Sequence, residues 1–340
     1  MPALVDTMAY KYDAVPWHGL GVAVEGDVTV EGMLEKAGLT WGVQRRKVYM
    51  HSSKDQPEVV EIPEYYAVTR ETGEVFQVAG SQYRPLQNKD VLAFFKQYCE
   101  AGDMQLETAG SLKGGAVIWA LAQIEKARFD LGDDAHRGYM LLANSHDGSM
   151  SFQGQLTDVR VVCWNTLSAA LSDGAARFFS LRHTKQFTNG AVQRVKHQVE
   201  RALEVMKAHK ARLETLATAP VKDGMHLLEF AARLVQPSLL LPAPGTTPTL
   251  SEGKPVGTLA VGWRDLHKPA REVVQAVRYS PGSGTMAAKG TWYGALQGYT
   301  HYADHVAGDD QEARLYSAWF GARAGQKEQA VELAEQFAQL

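Results

Sequence analysis

Cysteine is nearly absent from this chain: 340 residues contain two, Cys99 and Cys163. Both sit among apolar neighbours with no CxxC spacing. They read as buried thiols, which excludes a disulfide framework, a zinc ribbon and a thioredoxin-like redox motif. Long apolar runs are missing too. No window approaches the roughly eighteen consecutive apolar residues of a membrane span, and residues 1–12 lack the charged region and apolar stretch of a secretory signal. The expectation is a cytoplasmic protein with no membrane partner.

Phosphate loops are also lacking. No Gly-Lys-Ser/Thr triplet occurs, and Gly282-Ser283-Gly284-Thr285-Met286-Ala287 imitates a dinucleotide fingerprint but follows Tyr279-Ser280-Pro281 instead of a strand. A nuclease would need clustered carboxylates to hold magnesium. The only Glu-x-Lys triplet, Glu252-Gly253-Lys254, lies inside a proline-rich segment. Neither a cofactor nor a metal is expected from these patterns.

What is present is an ordinary globular composition, 45% hydrophobic and 21% charged, long enough for one large domain or two moderate ones. Its charge is unevenly placed. The chain carries a net charge of -3, yet nine Lys/Arg (177, 182, 185, 194, 196, 201, 207, 210 and 212) face only Glu200, Glu204 and, just beyond, Glu214. A basic stretch in a net anionic chain is the footprint of a surface that meets phosphates, and equally of a solvated helix face.

The first half reads as hairpins and short helices. Residues 65–70 and 74–79 flank a Glu-Thr-Gly turn, residues 104–109 and 116–123 flank Lys113-Gly114-Gly115, and residues 139–144 and 150–153 flank His146-Asp147-Gly148. Between the first two hairpins, Asn88 is expected to cap a helix over 89–99 that Gly102 closes. Residues 159–163 read as a strand, 167–171 as a short helix opened by Asn165 or Thr166, and 178–182 as another strand. From 188 to about 217 the apolar residues recur at threes and fours, which predicts a long helix.

Five of the thirteen prolines (237, 242, 244, 248 and 255) then mark an extended segment. Helical stripes return over 269–277, 291–306 and 312–337, and residues 300–340 hold seven acids against three bases. The expected fold is α+β: a hairpin-rich antiparallel sheet packed with helices, then a mostly helical C-terminal part. The division is 1–217, a core ending in the basic helix, and 218–340, the proline-rich segment and C-terminal helices packed on that core.

Several constellations carry residue types that chemistry uses. His301 and His305 share a helix face at i and i+4, but Tyr302 stands where the metalloprotease pattern has glutamate and no third ligand is nearby. They read as packing or surface histidines. His146, Asp147 and His183 are the only acid–base candidates, and Asp147-Gly148 already has an explanation as a turn. The remaining constellation is basic and aromatic. Arg160 on an apolar strand, Arg182, His183 and Lys185 at the end of the next, and Arg194, Lys196 and Arg201 on the long helix are expected to line one groove for a phosphodiester backbone. Trp119, Trp164, Phe178 and Phe179 are base-stacking candidates, although core positions suit them better.

Several segments together resemble an uncharacterised phage- and plasmid-borne family, domain of unknown function 932. They are Pro16-Trp17-His18-Gly19-Leu20-Gly21, Tyr83-Arg84-Pro85-Leu86-Gln87-Asn88, Thr108-Ala109-Gly110-Ser111-Leu112-Lys113-Gly114-Gly115, Asn144-Ser145-His146-Asp147-Gly148-Ser149, Val161-Val162-Cys163-Trp164-Asn165-Thr166-Leu167 and Arg182-His183-Thr184, with Gly290-Thr291-Trp292-Tyr293-Gly294 and Tyr302-Ala303-Asp304-His305 later. The resemblance implies a mobile-element origin and supplies no activity. The hairpin, helix, hairpin, long-helix order is similar in topology to single-strand annealing proteins of the RecT, Redβ and Erf type, an analogy at the level of fold.

The first expectation is therefore a single-stranded DNA-binding, strand-annealing recombination protein that works without metal or nucleophile. The alternatives are a non-enzymatic inhibitor or scaffold that binds protein, and a hydrolase using His146, Asp147 and His183. Expected partners are single-stranded DNA, further copies of the chain, and a nuclease or other phage or plasmid protein. Self-assembly is expected through hairpin edges, through Ser238-Leu239-Leu240-Leu241-Pro242 as an arm, and through the acidic C-terminal helix against a neighbour's basic helix.

Overall fold

In the computed structural model the described residues are 8–11, 21–24, 29–52, 58–160, 165–168, 177–183, 195–236 and 255–340. The fold is α+β, with an antiparallel-rich sheet and a mostly helical C-terminal part. Its main sheet has eight strands. The order runs β2 (Val22–Val24), β1 (Met8–Lys11), β6 (Met104–Leu112), β7 (Val117–Leu131), β8 (Asp134–Ser145), β9 (Phe152–Arg160) and β10 (Asn165–Ser168), and β11 (Arg177–Leu181) also pairs with β9. Among the described residues only the β1–β2 pair is parallel. A smaller sheet holds β3 (Val43–His51), β4 (Val59–Arg70) and β5 (Val75–Gly80) in that order.

β7 explains how the main sheet is covered. Alternate side chains of a strand point to opposite faces, and here both faces are apolar. Ile118, Ala120, Ala122 and Ile124 pack under helices α1 (Val30–Lys36) and α2 (Asn88–Ala101) and the first half of α3 (Val195–Thr218). Val117 and Trp119 face the other way, against Ala318 and Trp319 of a C-terminal helix. Trp119 and Trp319 meet edge to face with centroids 4.9 Å apart. The C-terminal part thus closes the second face of the sheet.

That part is itself a helical core, built from α4 (Gly224–Val235), α5 (Lys268–Tyr279), α6 (Trp292–His301), α7 (Gln311–Phe320) and α8 (Ala322–Ala338). A π turn over Tyr302–Val306 follows α6. Two elements belong to both cores. α3 gives Val199, Ala202 and Met206 to the first and Leu213 and Leu216 to the second, and the far end of the β7–β8 hairpin gives Leu131 to the second.

Several sequence expectations are corrected. The residues after Asn165 form strand β10, paired with β9 from Asn165 opposite Arg160 to Ser168 opposite Thr157, instead of opening a helix. Strand pairing over four residues overrides the local capping signal. Asn88 is the first residue inside α2 and its N-cap is Gln87. The stripe over 312–337 breaks at Gly321 into α7 and α8, where a Cβ would lie 2.9 Å from Ser317 Cα. The acidic last helix meets the basic long helix within one chain: Arg212 donates to both Glu335 oxygens, at 2.5 and 2.8 Å. The extended arm at 238–242 and the helix start at 188–194 lie outside the described residues.

Close helix packing in the C-terminal core depends on Gly298 of α6, where a Cβ would sit 2.4 Å from Val277 Cα of α5. Backbone cannot yield as a side-chain tip can. Gly298→Ala is expected to lower unfolding free energy by about 1–3 kcal/mol, read as a shift of the urea midpoint at unchanged slope.

Candidate functional site

The described portions of four family-like segments, 83–88, 108–115, 144–149 and 182–184, converge on one polar centre beneath the small sheet. Asn88 is its hub. Its Nδ2 donates to Leu39 O (3.1 Å) and Trp41 O (3.3 Å), which leaves Oδ1 as acceptor for His146 Nε2 at 2.9 Å. His146 is therefore the Nε2–H tautomer and its Nδ1 is a bare acceptor, buried with no hydrogen-bond partner. Gln87 frames the hub by bonding both Val43 N and Val43 O at 2.9 Å.

The imidazole of His146 is 0% exposed and lies between Trp41 (5.4 Å) and Phe76 (5.5 Å). Burial, helped by the nearby His183 and Arg70, pushes its pKa down to about 3, against the opposing charge of Asp147. It is a neutral ring across the physiological range. Gln77 Nε2 donates to His146 O at 2.9 Å, which fixes the β8–β9 turn to β5.

Arg70 lies over the Trp41 ring at 4.3 Å and donates to Gly114 O at 2.9 Å. Gly115 has φ 86, and a Cβ there would fall 2.3 Å from Arg70 Nη2 and 2.9 Å from Trp41. Only glycine permits this approach. His183 is also buried: its ring stacks on Tyr83 at 4.9 Å, and its Nε2–H donates to Met150 O at 3.2 Å. Burial lowers its pKa as well. Tyr83 OH donates to Ser145 O, and Arg84 N to His183 O. A cleft of about 560 Å³ adjoins the hub between α1 and α2, with Trp41 and Asn88 in its lining and Glu31, Glu35 and Asp90 around it.

The hydrolase candidates thus fall close together without forming a relay. Asp147 Oδ1 accepts from Ser149 N at 2.9 Å and closes its own turn, while each imidazole bonds an amide or carbonyl oxygen. The imidazole nitrogens left to accept a proton by their tautomers, His146 Nδ1 and His183 Nδ1, are both buried, and burial lowers the pKa of both rings, that of His146 to about 3.

Of the seven nucleic-acid candidates, three have described side chains, Arg182, His183 and Arg201. Arg182 is exposed at the end of β11 and Arg201 is exposed on α3. Arg160 ends β9 and Lys196 lies in α3, each described by its backbone, and Lys185 and Arg194 lie outside the described residues. Leu181 pairs with Phe152, so Arg182 and Arg160 mark opposite ends of β9, roughly 26 Å apart at about 3.3 Å per residue. His183 faces the interior. Trp119 and Phe179 are core residues, and Trp164 and the Phe178 side chain lie outside the description.

Farther along α3 the charge evens out. Lys210 pairs with Glu214 at 3.6 Å and Arg212 with Glu335, while Glu200 and Glu204 are exposed beside Arg201 and Lys207. Between residues 177 and 201 the sequence places six Lys/Arg against one acid, Glu200.

Two further buried clusters were not anticipated from sequence. Tyr293 OH donates to Asp134 Oδ2 (2.7 Å) and so accepts from His136 Nε2 (2.8 Å), with Phe129 stacked on His136 at 4.7 Å. Lys327 Nζ meets Asp304 Oδ1 at 2.5 Å, with the lysine side chain 0% exposed and its pKa lowered by burial against the pull of Asp304. The signal for both lay in the late family-like segments, which contain Tyr293 and Asp304. His301 and His305 have rings 4.6 Å apart, and among the described residues no group of three or more His, Cys, Asp or Glu could hold a metal ion.

These features define an α+β protein whose polar centre is formed from hairpin turns around a neutral histidine. The chain belongs to the family described as Domain of unknown function (DUF932), whose model matches residues 75–337. No curated protein and no solved structure matches it.

Two outcomes follow from the buried groups. The His146 pKa is depressed in the folded state, so its contribution to stability is complete above about pH 6.5 and is lost as pH falls towards 3. Unfolding free energy is expected to fall by up to about 1.4 kcal/mol per pH unit from this group across that window, and His146→Gln should flatten the slope in urea titrations from pH 7 to 4. Lys327→Met strands a buried carboxylate and is expected to cost about 3–5 kcal/mol by the same assay, with part recovered in Lys327→Met/Asp304→Leu.

Proposed function

We propose that this protein binds single-stranded DNA through its basic 177–201 region and promotes strand annealing in recombination of a mobile element, with no covalent step. The observation that carries the reading is the charge distribution. In a chain of net charge -3, six Lys/Arg against one acid fall between residues 177 and 201, and there Arg182 and Arg201 have exposed side chains. Annealing requires neutralised phosphates and loosely held bases, and it needs neither nucleophile nor metal.

Two further features support this reading over the hydrolase alternative. His146, Asp147 and His183 have hydrogen-bonding duties in the fold, and His146 is held neutral and buried. The hairpin, helix, hairpin, long-helix order is also similar in topology to that of the annealing proteins, which is an analogy of fold alone.

The deciding experiment is fluorescence anisotropy of a labelled strand of roughly 40 nucleotides, titrated at low and moderate salt. Sub-micromolar binding that weakens steeply with salt is expected. Arg182→Ala and Arg201→Ala should each reduce the log–log salt slope by about 0.7, without sequence bias. Absence of binding at both salt concentrations overturns the proposal.

A further inference from the structure

Half of the exposed large hydrophobic residues described in this protein lie on one small sheet. Of fourteen, the seven on β3–β5 are Tyr49, Met50, Val59, Val60, Tyr65, Val75 and Val78. Four of them (Tyr49, Met50, Val59 and Val60) lie towards the β3–β4 end, and Tyr65, Val75 and Val78 lie on the β4–β5 side, where an exposed apolar group beside a sheet edge suits an interaction surface.

The two edges of this sheet differ. β3 carries Arg45, Arg46 and Lys47, the charged protection that solitary edge strands use against pairing. β5 reads Val-Phe-Gln-Val-Ala-Gly, with no charge and no proline, and among the described residues it pairs with β4 and no other strand. Its inner side is occupied. Phe76 packs on Trp41 and His146, and Gln77 bonds His146 O. The register shifts at Phe76, from Val68 opposite Gln77 to Thr69 opposite Val75. That irregularity brings Val75 onto the same face as Val78, beside Ala67 and Tyr65. Val75 is 62% and Val78 54% exposed.

We propose that β5 pairs antiparallel with β5 of a second copy of this chain, joining two three-stranded sheets into a six-stranded one across a two-fold axis. Charge placement favours a second copy as the occupant. Glu71 and Glu74 precede β5, and Arg84 is the sole charged side chain between residues 75 and 88. Glu71 and Arg84 are exposed, and the Glu74 side chain is 61% exposed. The Glu74 carboxylate is already paired with Arg70 at 3.0 Å, which leaves Glu71 before the strand and Arg84 beyond it; an acid at one end and a cation beyond the other are complementary to their own antiparallel image. The pair rests on the small sheet alone and does not depend on DNA binding.

Sedimentation velocity of the full chain from low to high micromolar concentration tests it. The expected result is a shift from one 37.3 kDa chain to two, abolished by Val78→Lys and retained by Val60→Lys, a substitution on the distant β3–β4 end. Arg84→Glu should weaken association about tenfold, and adding Glu71→Arg should restore it. Circular dichroism melting checks that each variant is folded. A wild-type chain that stays monomeric throughout, or a Val78→Lys variant that still pairs, overturns the proposal. So does a monomeric wild type whose single-strand binding is lost in Val78→Lys, which would make the sheet a nucleic-acid surface. A dimer lost on Val78→Lys in a protein that binds no DNA upholds this inference while ending the annealing one.

Discussion

The arrangement depends on two elements shared between two cores. α3 buries Val199, Ala202 and Met206 against the sheet and Leu213 and Leu216 among the C-terminal helices, so one rigid helix spans both. The β7–β8 hairpin does the same from the other side. Its base is packed on both faces, and its tip carries Leu131 and the Asp134 and His136 side chains that meet Tyr293 of α6. A hydrogen-bonded trio buried at that junction costs far more to break than a surface contact, because each group would be left unpaired in a dry interior. Sheet and helical part are therefore expected to unfold together, and the division at 217 and 218 falls on the last two residues of α3.

The buried polar groups share a pattern. Each joins segments distant in sequence, and each is kept neutral or paired. Asn88 holds the end of α1, the loop before β3 and the β8–β9 turn. Glu229, 0% exposed, pairs with Arg233 and accepts Leu259 N, while Arg233 donates to Pro255 O, so α4 secures the return of the chain at 255–259. Asp304 and Lys327 join the π turn to α8. Interior pairs of this kind add little net stability but select one arrangement against others, since a misplaced partner leaves a charge without compensation.

The hairpins and most helices were legible because their signals are local. Gly114, Gly115 and Gly148 occupy positive φ at the turns where glycine had been read as a hairpin signal, and the apolar stripes of α2, α5 and α6 need no distant partner to be recognised. What was missed is non-local. Asn88 carries a capping side chain, yet its partners Leu39, Trp41 and His146 lie 47 to 58 residues away for the latter two and 49 for the first. The residues after Asn165 hold a helix start signal that loses to the edge of β9. Lys327 sits on a helix of mixed composition, and nothing in its neighbours says that Asp304, 23 residues back, takes it out of water. The acidic terminal helix meets the basic helix within one molecule through Arg212 and Glu335, a contact that charge complementarity alone does not assign to the same molecule or to a neighbour.

The family match gives the centre a further meaning. It begins at Val75, so β5 falls inside the matched region while β3 and β4 precede it. Yet β5 reaches its place through those strands, pairing with β4 along its length and meeting His146 through Phe76 and Gln77. The histidine therefore sits where the matched region and the preceding sheet meet. A neutral, buried ring held by an amide is poorly suited to proton transfer and well suited to fixing a junction. The hydrogen bonds of His146, Asp147 and His183 tie segments of the chain to one another, and the proposed contacts with large partners use other groups, the exposed cations Arg182 and Arg201 and the uncharged edge of β5.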